Sequence, residues 1–204
     1  MPEIIKEGYT RVSEVASAYA NYSAVNPMVL ENARLRGEHM HKLIYNRMND
    51  LPVRDEDMFW DGKPVAGYLA SFDKFWDDFS DGAELLIQEK RLYDDDLKLT
   101  GKPDLLIKHK GRCYIMDWKF TYANGLHWAI QAAGYLHLYK YGYIEDESID
   151  IKKYQVSDIV FVRLDKNGRD PDKLDYTCDA SLFYRAYELY NRFLKGRPHN
   201  MEKE

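Results

Sequence analysis

The spacing of apolar residues changes from a helical to a strand pattern near the middle of the chain, and this change restricts the possible folds most. Between residues 27 and 79, apolar side chains recur every three or four positions, as in amphipathic helices. Between residues 84 and 120, short apolar runs alternate with polar turns, which predicts strands. Helical spacing then returns. We therefore expect an α/β fold (an α+β sandwich) in which helices flank a sheet.

The three consecutive strands are expected to pair as an antiparallel meander that begins a central mixed sheet. The expected helices are one opening near Ser13, then 27–49, 65–79, 126–141 and 181–194, and the expected strands are 84–93, 97–108, 112–120 and 156–164. Residues 51–64 are expected to form a loop. We expect one domain over residues 1–204, with an N-terminal helical part at about 9–80, a core at about 84–165 and a C-terminal helix at about 181–195.

Composition indicates a soluble, globular chain, because 45% of its 204 residues are hydrophobic and 31% are charged. No apolar run approaches the ~20 residues that a membrane helix needs. The first ten residues, MPEIIKEGYT, contain no apolar signal core, so we expect a cytoplasmic protein with no membrane partner. The net charge of −5 argues only weakly against a nucleic-acid partner, since it does not describe local patches.

The two cysteines, Cys113 and Cys178, are too few for a site with four thiolate ligands. We therefore expect no iron–sulfur cluster, and we expect both cysteines to be structural thiols in a reducing compartment.

Two acids and a lysine lie in the strand pair GKPDLLIKHKGRCYIMDWKF, where core residues would be expected. Side chains repeat every two residues along a strand, so Asp117 and Lys119 share a face. A turn at HKG would bring Asp104 close to Asp117. Two adjacent carboxylates repel each other unless a cation lies between them, and oxygen ligands suit Mg²⁺ or Mn²⁺. The lysine would then orient a water or offset phosphate charge.

Further candidate ligands lie upstream. Glu89 is on the preceding strand and could supply a third carboxylate. His41 lies near the apolar face of the 27–49 helix, whereas His39 points to a different side. Taken singly, each of these residues is better explained as structural, with an Asp at a strand start as a turn cap and Glu89 as a solvated strand position. Their order along the chain is what favours a functional site.

That order resembles the PD-(D/E)XK nuclease superfamily, in particular its RecB-like and phage exonuclease members. Pro103-Asp104 corresponds to PD and DWK at 117–119 to (D/E)XK, while RGEHMH at 36–41 resembles the RGxxxH element. Gln131 and Tyr135 match a QxxxY element on the next helix. The opening GYTRVSEVASAY is also similar to that of phage-encoded members. Together the matches span most of the chain.

The resemblance implies a restriction-endonuclease-like core and a Mg²⁺- or Mn²⁺-dependent DNA nuclease using one or two ions. Asp104, Asp117 and the Trp118 carbonyl would bind metal, with His41 and Glu89 as further ligands. By the same resemblance, Lys119 would position the attacking water, and Gln131 and Tyr135 would support the site or touch DNA.

The expected activity is that of an exonuclease on linear single- or double-stranded DNA in phage or bacterial recombination, replication or repair. A homo-oligomer or a recombination partner protein is a family expectation. Two alternatives stay open at this point. One is a module on the same fold that binds DNA ends or a partner without turnover, and the other is a restriction-type endonuclease.

Overall fold

The computed structural model describes residues 5–121, 125–146, 148–176 and 179–196. Its α-helices are α1 (Val12–Ser17), α2 (Pro27–Met48), α3 (Ala66–Phe79), α4 (Leu126–Tyr141) and α5 (Ala180–Leu189), which Tyr190–Leu194 continues as a π-helix. Short 3₁₀ turns occur at Asp55–Met58 and Ile151–Lys153. The strands are β1 (Thr10–Arg11), β2 (Phe59–Trp60), β3 (Lys63–Pro64), β4 (Ala83–Gln88), β5 (Leu92–Asp94), β6 (Leu99–Gly101), β7 (Leu105–His109), β8 (Arg112–Lys119), β9 (Tyr143–Ile144), β10 (Val156–Arg163) and β11 (Asp172–Tyr176).

The protein has a mixed α/β fold, as the sequence predicts. A central five-stranded sheet has the order β11-β10-β8-β7-β4. Strands β4, β7 and β8 pair antiparallel, and β10 then pairs parallel with β8. Helix α4 lies in the connection between β8 and β10, because parallel neighbours need a crossover. The antiparallel meander that begins a mixed sheet is therefore observed.

Two predicted strands are wrong as single elements, because each one divides between two sheets. The 84–93 segment forms β4 in the central sheet and β5 in a second sheet of order β1-β6-β5-β9. The 97–108 segment likewise forms β6 and then β7. The chain passes from β4 in the central sheet to β5 in the second sheet at Glu89, whose φ is +52°. It passes from β6 back to β7 beside Pro103, which has no amide hydrogen to continue a ladder.

Two smaller elements also differ from the prediction. The expected loop at 51–64 contains the hairpin of β2 and β3. Strand β11 was not predicted, because its sequence DKLDY is largely polar. The strand pairs with β10 at the edge of the central sheet, where it needs no apolar pattern. The hairpin between β7 and β8 turns at Lys110 and Gly111, both with positive φ, which suits a two-residue turn.

The central sheet carries a separate apolar core on each face. One core joins α1, α4 and α5 to side chains such as Ile115 of β8. The other joins α2 and α3 to Met116 and Trp118 of the same strand. This alternation puts Asp117 on the face covered by α4. Cys113 is a buried free thiol, and Cys178 lies outside the described residues.

Candidate metal centre

Asp104 and Asp117 face each other at one end of the β7–β8 hairpin. The ladder pairs Leu105 with Met116, so the next positions outward are the two aspartates. Each aspartate side chain is only 6% exposed. Asp104 Oδ2 accepts a 2.6 Å hydrogen bond from the backbone amide of Trp118, which fixes the carboxylate against β8. The expected role of the Trp118 carbonyl as a ligand remains a prediction.

His41 reaches the same point from α2. Its Nδ1 lies 3.0 Å from Asp104 Oδ1, and this buried nitrogen has no well-directed hydrogen bond. The imidazole packs edge-on against Phe120, with ring centroids 5.0 Å apart. Burial alone would lower the pKa of His41, but the surrounding carboxylates, Asp104 foremost, raise it above the usual 6.5. In contrast, His39 Nε2 lies 2.7 Å from the carbonyl oxygen of Asp57, away from this cluster.

Glu89 occupies the connection between β4 and β5. Its amide donates a 2.9 Å bond to the Asp104 carbonyl, and its left-handed backbone then turns the chain toward the second sheet. An ion pair joins its carboxylate to the ammonium of Lys102, which lies in the matching connection between β6 and β7. Burial raises the pKa of Glu89, the charge of Asp104 raises it further, and Lys102 offsets part of the rise.

A nitrogen and two carboxylate oxygens converge here. One ligand atom each from His41, Glu89 and Asp104 lies within 4.8 Å of the others. An imidazole with two carboxylates is a donor set that Mn²⁺ and related divalent ions accept. Asp117 lines the same cavity but is turned to Lys119 instead. The sequence indicated these four residues, but it could not indicate this division among them.

Lys119 begins a chain of polar contacts that runs along α4. Its Nζ lies 2.5 Å from Asp117 Oδ2 and donates a 2.8 Å hydrogen bond to Gln131 Oε1. Gln131 Nε2 in turn donates to the hydroxyl of Tyr135 at 2.8 Å. Burial, followed by the charges of Asp117 and Asp104, raises the pKa of Tyr135 well above its usual range, so this phenol stays protonated.

Aromatic faces surround the lysine on its other side. The ammonium of Lys119 lies 4.3 Å from the ring centroid of Phe161 and 5.7 Å from that of Trp128. Both rings are buried, and the lysine side chain is 12% exposed. Such contacts favour a cation over a ring face. Lys119 is therefore held in one position by two polar partners and two rings.

A cavity of about 720 Å³ connects these groups. Besides the seven predicted side chains, its lining includes Glu38, Lys42, Tyr45, Arg91 and Lys102. Sequence reasoning missed these five. Tyr45 follows His41 by four positions and so shares its face of α2, Lys42 is the next residue along the chain, and Lys102 precedes the PD motif directly. The lining has four carboxylates and four cationic side chains other than histidine, so its formal charges balance.

Comparison with known proteins gives no family assignment. No family model matches the chain, and no curated protein matches it. A solved crystal structure described as SSO0001 aligns over 97% of this chain and 81% of its own, with 15% sequence identity and a TM-score of 0.45. A likeness at that level carries no functional argument. Among the described residues, no helix combines the length and apolarity needed to cross a membrane.

Proposed function

We propose that this chain is a divalent-metal-dependent deoxyribonuclease with a restriction-endonuclease-like PD-(D/E)XK core. One observation carries the proposal. The residues that the sequence motifs single out come from separate elements yet line one cavity, and these residues are His41, Glu89, Asp104, Asp117, Lys119, Gln131 and Tyr135. A chance DxK on a strand would not require an upstream helix and a downstream helix to converge on it.

The donor atoms present fit a hard or borderline divalent cation. His41, Glu89 and Asp104 would hold Mg²⁺ or Mn²⁺, with Asp117 as a further carboxylate. The buried Nδ1 of His41, which lacks a well-directed hydrogen bond, is the atom that such an ion would satisfy. When bound, the ion supplies Lewis-acid polarisation of a phosphodiester and a lowered pKa for water.

The protein's own groups provide orientation and charge. The Lys119 ammonium would hold the attacking water and offset the negative charge that develops on the phosphate. Asp117 and Gln131 fix that ammonium, so little reorganisation is needed during reaction. Tyr135 stays protonated and holds Gln131 in place.

We further propose that the activity is exonucleolytic on linear DNA, in bacterial or phage recombination, replication or repair. The decisive experiment compares end-labelled linear double-stranded, linear single-stranded and closed circular DNA, each with Mg²⁺, Mn²⁺ or EDTA. Loss of linear DNA alone, only with metal, supports an exonuclease. Cutting of the circle supports a restriction-type endonuclease, and binding without cutting supports the non-catalytic module.

Lys119→Ala tests the site itself in the same assay. Lys108→Ala is the matched control, because Lys108 is a solvent-exposed lysine of the same hairpin, where it pairs with Glu84. Activity should be lost in the first variant and kept in the second. Equal cleavage by both variants would contradict the assignment of Lys119.

A further inference from the structure

The Glu89–Lys102 ion pair joins a proposed metal ligand to a cation that faces the same cavity. Both residues lie where the chain passes between the two sheets, one in each three-residue connection. Glu89 is also one of the three residues whose ligand atoms lie within 4.8 Å of one another. The same carboxylate would thus serve either the ammonium or a metal ion.

We propose that Lys102 is a phosphate-binding residue whose availability depends on the metal. In the metal-free protein its ammonium neutralises Glu89. When a divalent ion is bound, the Glu89 carboxylate would coordinate that ion. The Lys102 ammonium would then exchange Glu89 for a phosphate oxygen of the DNA. This inference rests on the proposed nuclease function and adds a link between metal binding and substrate binding.

The local structure suits such an exchange. The Lys102 side chain is 34% exposed, so its long stem can reorient into the cavity. Its backbone is held separately, because the carbonyl oxygen accepts a 3.5 Å bond from the Tyr135 hydroxyl. Pro103 follows directly and limits the backbone further. The side chain can therefore change partner without moving the Asp104 carboxylate beside it.

The charge balance of the cavity points the same way. With four carboxylates and four cationic side chains in its lining, the metal-free cavity offers an anionic ligand little net attraction. A divalent ion adds positive charge and also weakens the hold of Glu89 on Lys102. Both effects favour phosphate binding, and both appear only when the metal is present.

The test measures binding of a short blunt-ended DNA duplex by fluorescence anisotropy, in EDTA and in Ca²⁺, over a range of salt concentrations. In Ca²⁺, Lys102→Met should weaken binding and reduce the slope of log affinity against log salt by about 0.9, the value for one phosphate contact. In EDTA the same substitution should leave the slope unchanged, because Lys102 then contacts Glu89 and no phosphate, although the unpaired Glu89 carboxylate should lower the affinity. An equal change of slope in EDTA and in Ca²⁺ would overturn the proposal.

A double-mutant cycle in EDTA tests the ion pair without any metal. Glu89→Gln breaks the pair, so DNA affinity should rise, and the rise should exceed that of the control Glu38→Gln, a cavity carboxylate paired with Arg34 instead. The gain should fall to the control level when Lys102→Met is added, and Lys102→Gln should reproduce this if the methionine variant is poorly folded. A gain that survives removal of Lys102 would overturn the proposal.

Failure of this inference is distinguishable from failure of the proposed function. If the wild-type protein cuts DNA but the cycle shows no coupling, Lys102 has no such role and the nuclease assignment stands. If the coupling appears and no DNA is cut under any condition, the exchange of partners stands and the nuclease assignment falls.

Discussion

Asp104 lies across the β7–β8 hairpin from Asp117, yet the two carboxylates engage different partners. Asp104 accepts from the Trp118 amide and approaches His41 at 3.0 Å, whereas Asp117 lies 2.5 Å from the ammonium of Lys119. Adjacent buried carboxylates repel each other, and separate partners relieve that repulsion. One acid thereby belongs to the candidate metal cluster and the other to the lysine. This division sets the first prediction.

Asp104→Asn should reduce Mn²⁺ affinity by at least about tenfold, since loss even of groups that only support a metal ligand costs that much. The fold should survive, because the asparagine carbonyl can still accept from the Trp118 amide. Isothermal titration calorimetry with Mn²⁺ measures the affinity, and circular dichroism checks the fold. Glu84→Gln, an exposed acid on β4, is the control. Unchanged Mn²⁺ affinity in Asp104→Asn would exclude this carboxylate as a ligand.

Gln131→Leu should slow cleavage without weakening Mn²⁺ binding, because Gln131 contacts Lys119 and not the metal cluster. A hydrogen bond to a charged group contributes about 1.5–3 kcal/mol, so the rate should fall by about ten- to a hundredfold. Single-turnover kinetics at saturating Mn²⁺ measures this rate. A parallel loss of metal affinity would instead show that Gln131 supports the metal cluster.

Metal binding should strengthen with rising pH. Both Glu89 and His41 have raised pKa values in the metal-free protein, from ordinary values of 4.5 and 6.5, and both must lose a proton to act as ligands. Calorimetry in two buffers of different ionisation enthalpy should therefore detect the protons that are released when Mn²⁺ binds. This release should be seen at pH 6.5 and above. His41→Gln should lose the pH dependence of metal affinity near neutral pH, while His39→Gln should keep it. A pH-independent affinity would contradict these ligands.

The stability of the metal-free protein should change in the opposite direction. A group whose pKa is higher in the folded than in the unfolded state adds stability at low pH, and this stability is lost as pH rises through the folded value. Glu89 and His41 both have raised pKa values, so both stabilise the metal-free protein more at low pH than at high pH. The difference in melting temperature with and without Mn²⁺ should therefore grow as pH rises above 4.5. Differential scanning calorimetry at several pH values would measure it, and a constant difference would refute the expectation.

Two glycine substitutions should separate stability from site geometry. A Cβ on Gly101 would lie 2.7 Å from Leu138 and 3.1 Å from the Tyr135 ring, so Gly101→Ala should displace a side chain of the site. A Cβ on Gly134 would instead meet Val12 and Phe183, in the core behind α4. Each change should destabilise the fold by about 1–3 kcal/mol.

Only Gly101→Ala should also lower the cleavage rate per folded molecule. Chemical denaturation measures the free energy of unfolding. Kinetics at a temperature well below unfolding measures the cleavage rate per folded molecule. Equal rate losses in both variants would mean that stability alone accounts for them.

The sequence predicted the long, strongly periodic elements and not the path between the sheets. Helices α2 and α4 match their predicted limits to within a residue. The division of the strands at Glu89 was not predictable, because a non-glycine residue with positive φ is uncommon and has no sequence signal of its own. Pro103 was the available signal for the second division, since proline interrupts a ladder.

The candidate site was predictable in membership and not in its pairings. Motif spacing identified the acids, the lysine and the QxxxY residues that line the cavity. Which cation pairs with which acid depends on distances between separate elements. The Lys102 ion pair with Glu89 depends on two connections that lie thirteen positions apart, so no local pattern could reveal it.

The two connections between the sheets consist of residues 89–91 and 102–104, three in each case. Because strand side chains alternate, one inserted residue in either connection would turn the following strand over and exchange its buried and exposed faces. The loop between β10 and β11 carries no such constraint, because no described residue that lines the cavity lies in or after it. An insertion scan should therefore find that added residues are tolerated in that loop and that either three-residue connection loses the cavity when it is lengthened.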